Sequence, residues 1–574
     1  MKTIGGIFFA FLVSAAYLVV FQYQFWFKEQ GMLFLWTKDF FAEQVSIPGG
    51  LAAYMGGFAT QFCKIPLWGG VMVVMIFFIL WQVYRKILNI GYQSNNKMLV
   101  ALPVIYLAAL FSLINYNFSI VGAHLLVSFA VLIYVGVRNQ YLRYGLGMAL
   151  IFLMYWTANT IFYVGVALFI MHELCCKRQK YFVAISTMYL LISMPIPVLT
   201  HYMLSLPFEE CFFSGYWIME TLITDKDVEL IYPSLAILPM VCLFVYLGSI
   251  ISNKRLVYFG AIVRPLLLAV MLIGLFVGCI RVQETKVLKS LYLLRNEKWQ
   301  EIITRVQQTE KPIFSEMALY NFALAKEPDL SRQLLFDSRN SINYYQLDQM
   351  KGMLKLCFSA ELYFHLGFVN KSFYDYFNVS KSLDRHGSAY CVSRMAYIAM
   401  VKGNYPLARK YYAILSETWL YARQAREYMQ LLSDPTRIEQ HESIQEKRKL
   451  LLHDNSFFWS DQFLSNLVMY VDTGTENRLA SEYLAGFILL AKDLTRLTTY
   501  IEPLILLHYN GSDVPDIYQQ AILCYFSETT DPALEKLHVG DKNKQLFESF
   551  KKDMTAENVL KKYEGTYFYY LLKR

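Results

Sequence analysis

The chain reads as an all-α protein in two parts. A polytopic transmembrane helical bundle of about nine spans covers residues 1–282, and a soluble helical-repeat domain covers 283–574. Three observations predict this. Apolar stretches crowd the first half, at 3–23, 66–84, 98–114, 119–137, 145–158, 160–175, 181–200, 234–252 and 262–280. Most approach the ~17–25 residues that cross a ~30 Å hydrocarbon core as a helix. After Arg281 these runs stop, and apolar residues recur at intervals of three and four, as in Tyr292, Leu293, Trp299, Ile302 and Ile303. Strand patterns and hairpin dipeptides are nearly absent.

Charge orients the spans. Up to Val282 there are 17 Lys/Arg and 10 Asp/Glu; the remainder holds 36 and 35, so the net charge of +8 sits almost wholly in the apolar half. There it divides by side. Lys2, Arg85, Lys86, Lys97, Arg138, Arg143, Lys177, Arg178, Lys180, Lys254, Arg255 and Arg264 fall in alternate loops, whose one acid is Glu173 at a helix end. Basic residues in short loops stay on the cytoplasmic side. The expectation is a multi-pass protein of the inner (cytoplasmic) membrane, with a cytoplasmic N-terminus and an extracytoplasmic C-terminal domain. Topogenesis and anionic headgroups account for the basic excess, so no nucleic-acid partner is implied.

Element by element, the first span has only Lys2 ahead of it, like a signal peptide, but its aromatic continuation from Tyr17 to Phe27 favours an uncleaved anchor. Residues 145–175 read either as one long helix or as a hairpin tipped near Thr157-Ala158-Asn159-Thr160. The hairpin keeps Arg138, Arg143, Lys177, Arg178 and Lys180 on one side and is preferred. The nine cysteines form no zinc spacing and read as small buried apolar residues, with Cys63 and Cys211 a loose candidate pair. In the tail, Gly403-Asn404-Tyr405 followed by Ala408, Tyr411, Tyr412 and Leu415 sets a small residue and an aromatic at a turn, then alanine and tyrosine on a packing face. That unit, Ala399 to Leu432, resembles a tetratricopeptide (TPR) repeat, as more weakly does Cys357 to Phe377. The resemblance implies a TPR-like α-solenoid. The alternative is an irregular bundle. Gln440–Lys449 reads as a hinge or as one exposed helix face.

No P-loop, dinucleotide fingerprint, nucleophile elbow or HExxH is present. The spans carry few ionisable residues, which counts against an ion-coupled transporter. The unusual region is the first outer loop, Phe25 to Pro66. Met32 to Trp36 and Phe40-Phe41 alternate there with Lys28, Glu29, Lys38, Asp39 and Glu43, as in an interfacial amphipathic helix. Asp39 and Glu43 are four apart and share a helix face. Pro48-Gly49-Gly50 then forces a turn. The second long outer loop, His201 to Pro233, adds His201, Glu209, Glu210 and the pair Asp225-Lys226-Asp227.

This order resembles membrane glycosyltransferases of the GT-C type: first span, Lys38-Asp39-Phe40, Pro48-Gly49-Gly50, the Trp156–Thr160 hairpin and an outer tail. The chain also resembles a group of uncharacterised bacterial polytopic proteins with TPR-like tails, which brings no activity. The GT-C resemblance implies a polyprenyl-phosphate-linked sugar as donor. It makes Asp39 the candidate base and Glu43 its companion. Glu209 and Glu210 are candidate oxygen ligands for a divalent cation, and Lys38, Lys64, His201 and Arg281 candidate substrate-binding groups. Beyond the lipid bilayer, the implied partner is an extracytoplasmic protein or glycan held by residues 288–572. The competing expectation is a non-catalytic, membrane-anchored scaffold; a lipid or polymer transporter comes third.

Overall fold

The computed structural model describes residues 20–92, 97–114, 116–177, 180–213, 231–250, 278, 281–326, 331–383, 386–451, 462–472, 477–509, 513–528, 530–554 and 559–573. Every regular element among them is a helix. Residues 3–19 of the first expected span, most of the last one (262–280) and Asp225-Lys226-Asp227 lie outside the described residues. Contacts divide the chain into two units. Unit one is Met1–Thr285 with Val379–Ser393 and Arg409–Met429; unit two is Lys286–Asn378, Arg394–Ala408 and Gln430–Arg574.

In unit one, α1 covers residues 20–30. The segment expected as the first outer loop then forms α2 (Lys38–Val45) and α3 (Gly50–Thr60). Thr37 caps α2 by accepting from the Phe40 amide at 3.2 Å, and Asp39 stands in its first turn, where an acid complements the helix dipole. Gly49 (φ 81°) supplies the left-handed residue of the expected turn before α3. Next come α4 (Pro66–Tyr92), α5 (Lys97–Phe111) and α6 (Phe118–Gly136). Close approach is built into the α3–α6 contact. A Cβ on Gly56 would lie 2.3 Å from the Ser119 amide nitrogen, so only glycine fits.

Then follow α7 (Gln140–Ala158), α8 (Phe162–Met171), α9 (Phe182–Ser193), α10 (Pro195–Leu204), α11 (Phe208–Phe213) and α12 (Ser234–Ile250). Four described helical stretches are long and apolar enough to cross a membrane: Leu67–Tyr92, Phe118–Gly136, Gln140–Cys175 and Phe182–Leu204. This corrects the expectation of nine. The 98–114 stretch becomes α5, whose 15 residues extend about 22 Å at ~1.5 Å each. The 145–158 and 160–175 stretches belong to one apolar segment.

That segment folds back on itself. Asn159 has φ 41° and ψ −124°, which ends α7, and a short 3₁₀ turn leads into α8. Arg143 near the start of α7 then meets Glu173 just beyond α8, Nε to Oε1 at 2.6 Å and Nη2 to Oε2 at 3.1 Å. Residues thirty apart on a straight helix would lie about 45 Å apart. Arg143, expected in a loop, is thus fully buried within α7, as is Glu173 after α8. Cys63 and Cys211 are both free thiols, so the loosely expected disulfide does not form.

Unit two and the tail segments of unit one are helical throughout the described residues, with neighbouring helices joined by tight turns. Gly367 (φ 89°) ends Gly352–Leu366 before Val369–Leu383, and Gly403 (φ 77°) separates Ala389–Val401 from Tyr405–Ser416. The Gln440–Lys449 segment is mostly the helix Glu442–Lys449, with Arg448 donating to the Val401 carbonyl at 3.0 Å and the Tyr405 hydroxyl at 2.8 Å.

Candidate functional site

The end of α1 carries three polar residues, Lys28-Glu29-Gln30, directly after an aromatic run, and all three are buried. Lys28 Nζ donates to the carbonyls of Phe111 (2.6 Å) and Tyr116 (2.7 Å) and lies 3.8 Å from the centre of the Phe111 ring. Phe111 ends α5, where unsatisfied carbonyls attract a cation, and Tyr116 lies in the loop before α6. Burial nevertheless pulls the Lys28 ammonium down to about 7.

Glu29 points elsewhere. Its carboxylate accepts from Gln30 Nε2 at 2.8 Å and from the Tyr421 hydroxyl at 3.2 Å. It lines a cavity with Met32, Phe34, Gly57, Thr60, Gln61, Ala389, Thr418, Leu420 and Tyr421. The volume is about 20 Å³, enough for a water molecule. Gln61 opens the 3₁₀ turn after α3, is 8% exposed, and both atoms of its amide lack a hydrogen-bond partner. Buried polar groups almost always find partners, so this wall of the cavity is built to meet a polar guest. Thr60 and Thr418 are committed as donors, to the Gly56 carbonyl at 2.8 Å and the Leu415 carbonyl at 2.7 Å. Cys63 is buried beside them, and burial pushes its thiol up to about 12, so it is an inert thiol here.

Tail segments close the cavity. Ala389 N donates to the Met32 carbonyl at 3.2 Å and Trp36 N to the Glu417 carbonyl at 2.9 Å. Around them runs an aromatic cluster: Phe34 with Phe40 (5.5 Å) and Tyr54 (4.9 Å), Phe40 with His386 (5.0 Å), and Phe62 with Trp419 (5.3 Å). Such edge-on and tilted pairs add directional stability to apolar burial.

The residues proposed from sequence are placed as follows. Lys38, Asp39 and Glu43 are exposed on α2, and Glu43 Oε1 meets His386 Nε2 at 3.3 Å. Lys64 is exposed with Nζ 4.4 Å from the centre of the Tyr421 ring. Arg281 pairs with Glu284 at 2.7 Å. His201 Nδ1 lies 2.6 Å from the Leu206 carbonyl. Glu209 and Glu210 sit on α11, whose backbone is held by the hairpin tip: Asn159 Nδ2 donates to the Glu210 carbonyl at 3.0 Å and Thr160 Oγ1 to the Phe212 carbonyl at 2.8 Å. No group of three or more His, Cys, Asp or Glu side chains arranged to hold a metal occurs among the described residues. Lys64 therefore stands over the ring of the cavity-lining Tyr421, and Asp39 is on the surface. Glu29 and Gln61 were missed. The signal was present for Glu29, since adjacent charges ending an aromatic helix are costly to bury without a use. For Gln61 there was none.

No curated protein and no solved structure matches this chain. One family matches over residues 1–574, described as a family of unknown function (DUF6057).

Proposed function

We propose a function from the site itself, because the chain belongs to the DUF6057 family, to which no activity is attached. The protein is a multi-pass membrane protein of the bacterial cell envelope that transfers a sugar from a polyprenyl-phosphate donor to an envelope acceptor, with Glu29 as the base. One observation carries this reading: a carboxylate only 4% exposed shares a polar cavity with an amide that has no partner. An acceptor hydroxyl that donates to Glu29 and accepts from Gln61 Nε2 gives each of these groups a partner. Glu29 takes the hydroxyl proton as the acceptor oxygen bonds to the anomeric carbon and the polyprenyl phosphate leaves with the bond's electrons. Lys64, whose ammonium stands over the ring of Tyr421, neutralises that phosphate in this reading.

The test compares polyprenyl-linked sugars and envelope glycans by mass spectrometry. The strains are a deletion and the same deletion carrying equal amounts of wild-type, Glu29→Gln or Asp39→Asn protein. The lipid-linked sugar is expected to accumulate in the deletion and with Glu29→Gln, by at least ~10²-fold loss of transfer, and not with Asp39→Asn. A Glu29→Gln strain with wild-type pools removes Glu29 from catalysis.

A second reading, the non-catalytic scaffold, is favoured by a cleft of about 450 Å³ in unit two. It is lined by Asn370, Phe373, Tyr374, Phe377, Ala399, Lys402, Asn404 and Leu407. That size and aromatic lining suit a protein or glycan partner. If the deletion leaves both sugar pools unchanged while Phe377→Ala abolishes capture of an envelope partner, the scaffold reading stands and transfer falls.

A further inference from the structure

Unit two gathers half-buried cationic side chains around a group of aromatic rings. Lys326 Nζ lies 4.3 Å from the centre of the Trp299 ring. Lys447 Nζ lies 4.5 Å from the centre of the Phe364 ring and donates to the Phe364 carbonyl at 3.1 Å. Arg394 Cζ lies 4.7 Å from the centre of that same ring. His365, the next residue, stands edge-on to Trp299 at 5.2 Å. It is 4% exposed, and its Nε2 has no hydrogen-bond partner. Four separate helical segments deliver these groups to one place.

The carboxylates nearby do not balance them. Glu361 accepts from Arg295 at 2.9 Å and meets Arg394 at 3.4 Å. Glu297 and Glu446 act on the lysines from exposed positions, where solvent screens them. Neither lysine has a carboxylate at ion-pair distance among the described residues. A half-buried cation without a counter-ion costs stability unless an anion is recruited. Ring faces hold the ammonium groups in place without neutralising them.

We propose that Lys326, Lys447 and Arg394, together with His365, form a binding site for a phosphate-type oxyanion. Two lysines with no carboxylate at ion-pair distance, beside the Arg394 guanidinium, suit a doubly charged, multi-acceptor group better than a single carboxylate. Nε2 of a neutral His365 supplies a further donor. The surroundings agree: burial, and then the Lys326 charge, pull the Lys447 ammonium down to about 8, and burial lowers Lys326 as well. A bound oxyanion reverses both effects. Its source is either free phosphate or the phosphate of a lipid headgroup.

The test uses the full chain in nanodiscs and an amine-acylating reagent, with modified lysines read by mass spectrometry. In phosphatidylcholine discs, inorganic phosphate is expected to slow labelling of Lys326 and Lys447 at least about threefold relative to chloride at equal ionic strength, and to leave the exposed Lys449 unchanged. Protection in phosphatidylglycerol discs without added phosphate, and none from phosphate itself, assigns the headgroup as the source. No protection in either arm overturns the site. Lys447→Met is expected to weaken phosphate binding about tenfold, and Lys447→Arg less than about threefold. An equal loss on Lys449→Met shows diffuse attraction and also overturns it.

Discussion

Glu173 and Glu29 are both buried carboxylates of unit one, and their partners differ in kind. Glu173 faces the fork of Arg143, with two hydrogen bonds, and the Tyr134 hydroxyl at 2.9 Å. Glu29 faces the neutral donors of Gln30 and Tyr421 and a cavity. A charge matched by a bidentate cation closes a hairpin; it has little capacity left for anything else. A charge held by neutral donors beside open space can still accept a hydrogen bond from a guest. The comparison separates a carboxylate whose partners close the fold from one that keeps a face on a cavity, as the role proposed for Glu29 requires.

Breaking the closed pair gives the largest expected effect. Arg143→Met leaves Glu173 buried without its cation and is expected to cost about 3–5 kcal/mol. Thermal melts of the purified protein in detergent check this; a loss below about 1 kcal/mol would show that the hairpin base does not depend on the pair. The next effect lies beside Glu29. Burial holds Lys28 near 7 against an ordinary 10.5, so between those values the unfolded chain binds more protons than the folded one. Stability therefore rises with pH across that window, by at most ~1.4 kcal/mol per pH unit, and is flat below it, where Lys28 is charged in both states. Melts at pH 7, 8 and 9 should show this slope in wild type and a flatter one in Lys28→Met; equal slopes would remove Lys28 as the cause. The smallest effect sharpens the contrast. Tyr421→Phe removes one neutral donor from Glu29 and is expected to cost about 0.5–1.5 kcal/mol. A loss as large as that of Arg143→Met would make Glu29 a structural carboxylate too.

Much of the helical class was legible, because apolar runs and three-to-four spacing are local properties. The hairpin tip was legible as well: Thr157, Asn159 and Thr160 interrupt an apolar stretch, and the basic residues on either side favoured a fold-back. The number of membrane-length helices was not. A run such as 98–114 looks alike whether it crosses a bilayer or forms a 15-residue helix with Pro103 inside it. Arg143 read as a loop charge because its partner lies thirty positions away. The cavity was hidden for the same reason on a larger scale. Glu29 is covered by Tyr421, 392 positions later, and no local pattern announces that contact. Asp39 and Glu43 stood out because charges in an apolar loop are conspicuous, but the α2 register turns them to the surface.

Asn159 has a practical consequence for anyone tagging this protein. Turns between helices are the usual places to insert an epitope or a reporter, and residues 158–161 look like one. Here the turn is a junction. On one flank Trp156 binds the turn between α2 and α3, with its Nε1 donating to the Val45 carbonyl at 3.0 Å and its carbonyl accepting from Gly49 at 2.9 Å. On the other, Asn159 and Thr160 hold the backbone of α11. An inserted tag would release both loops at once, and a silent reporter at that position would speak of lost architecture and not of sidedness.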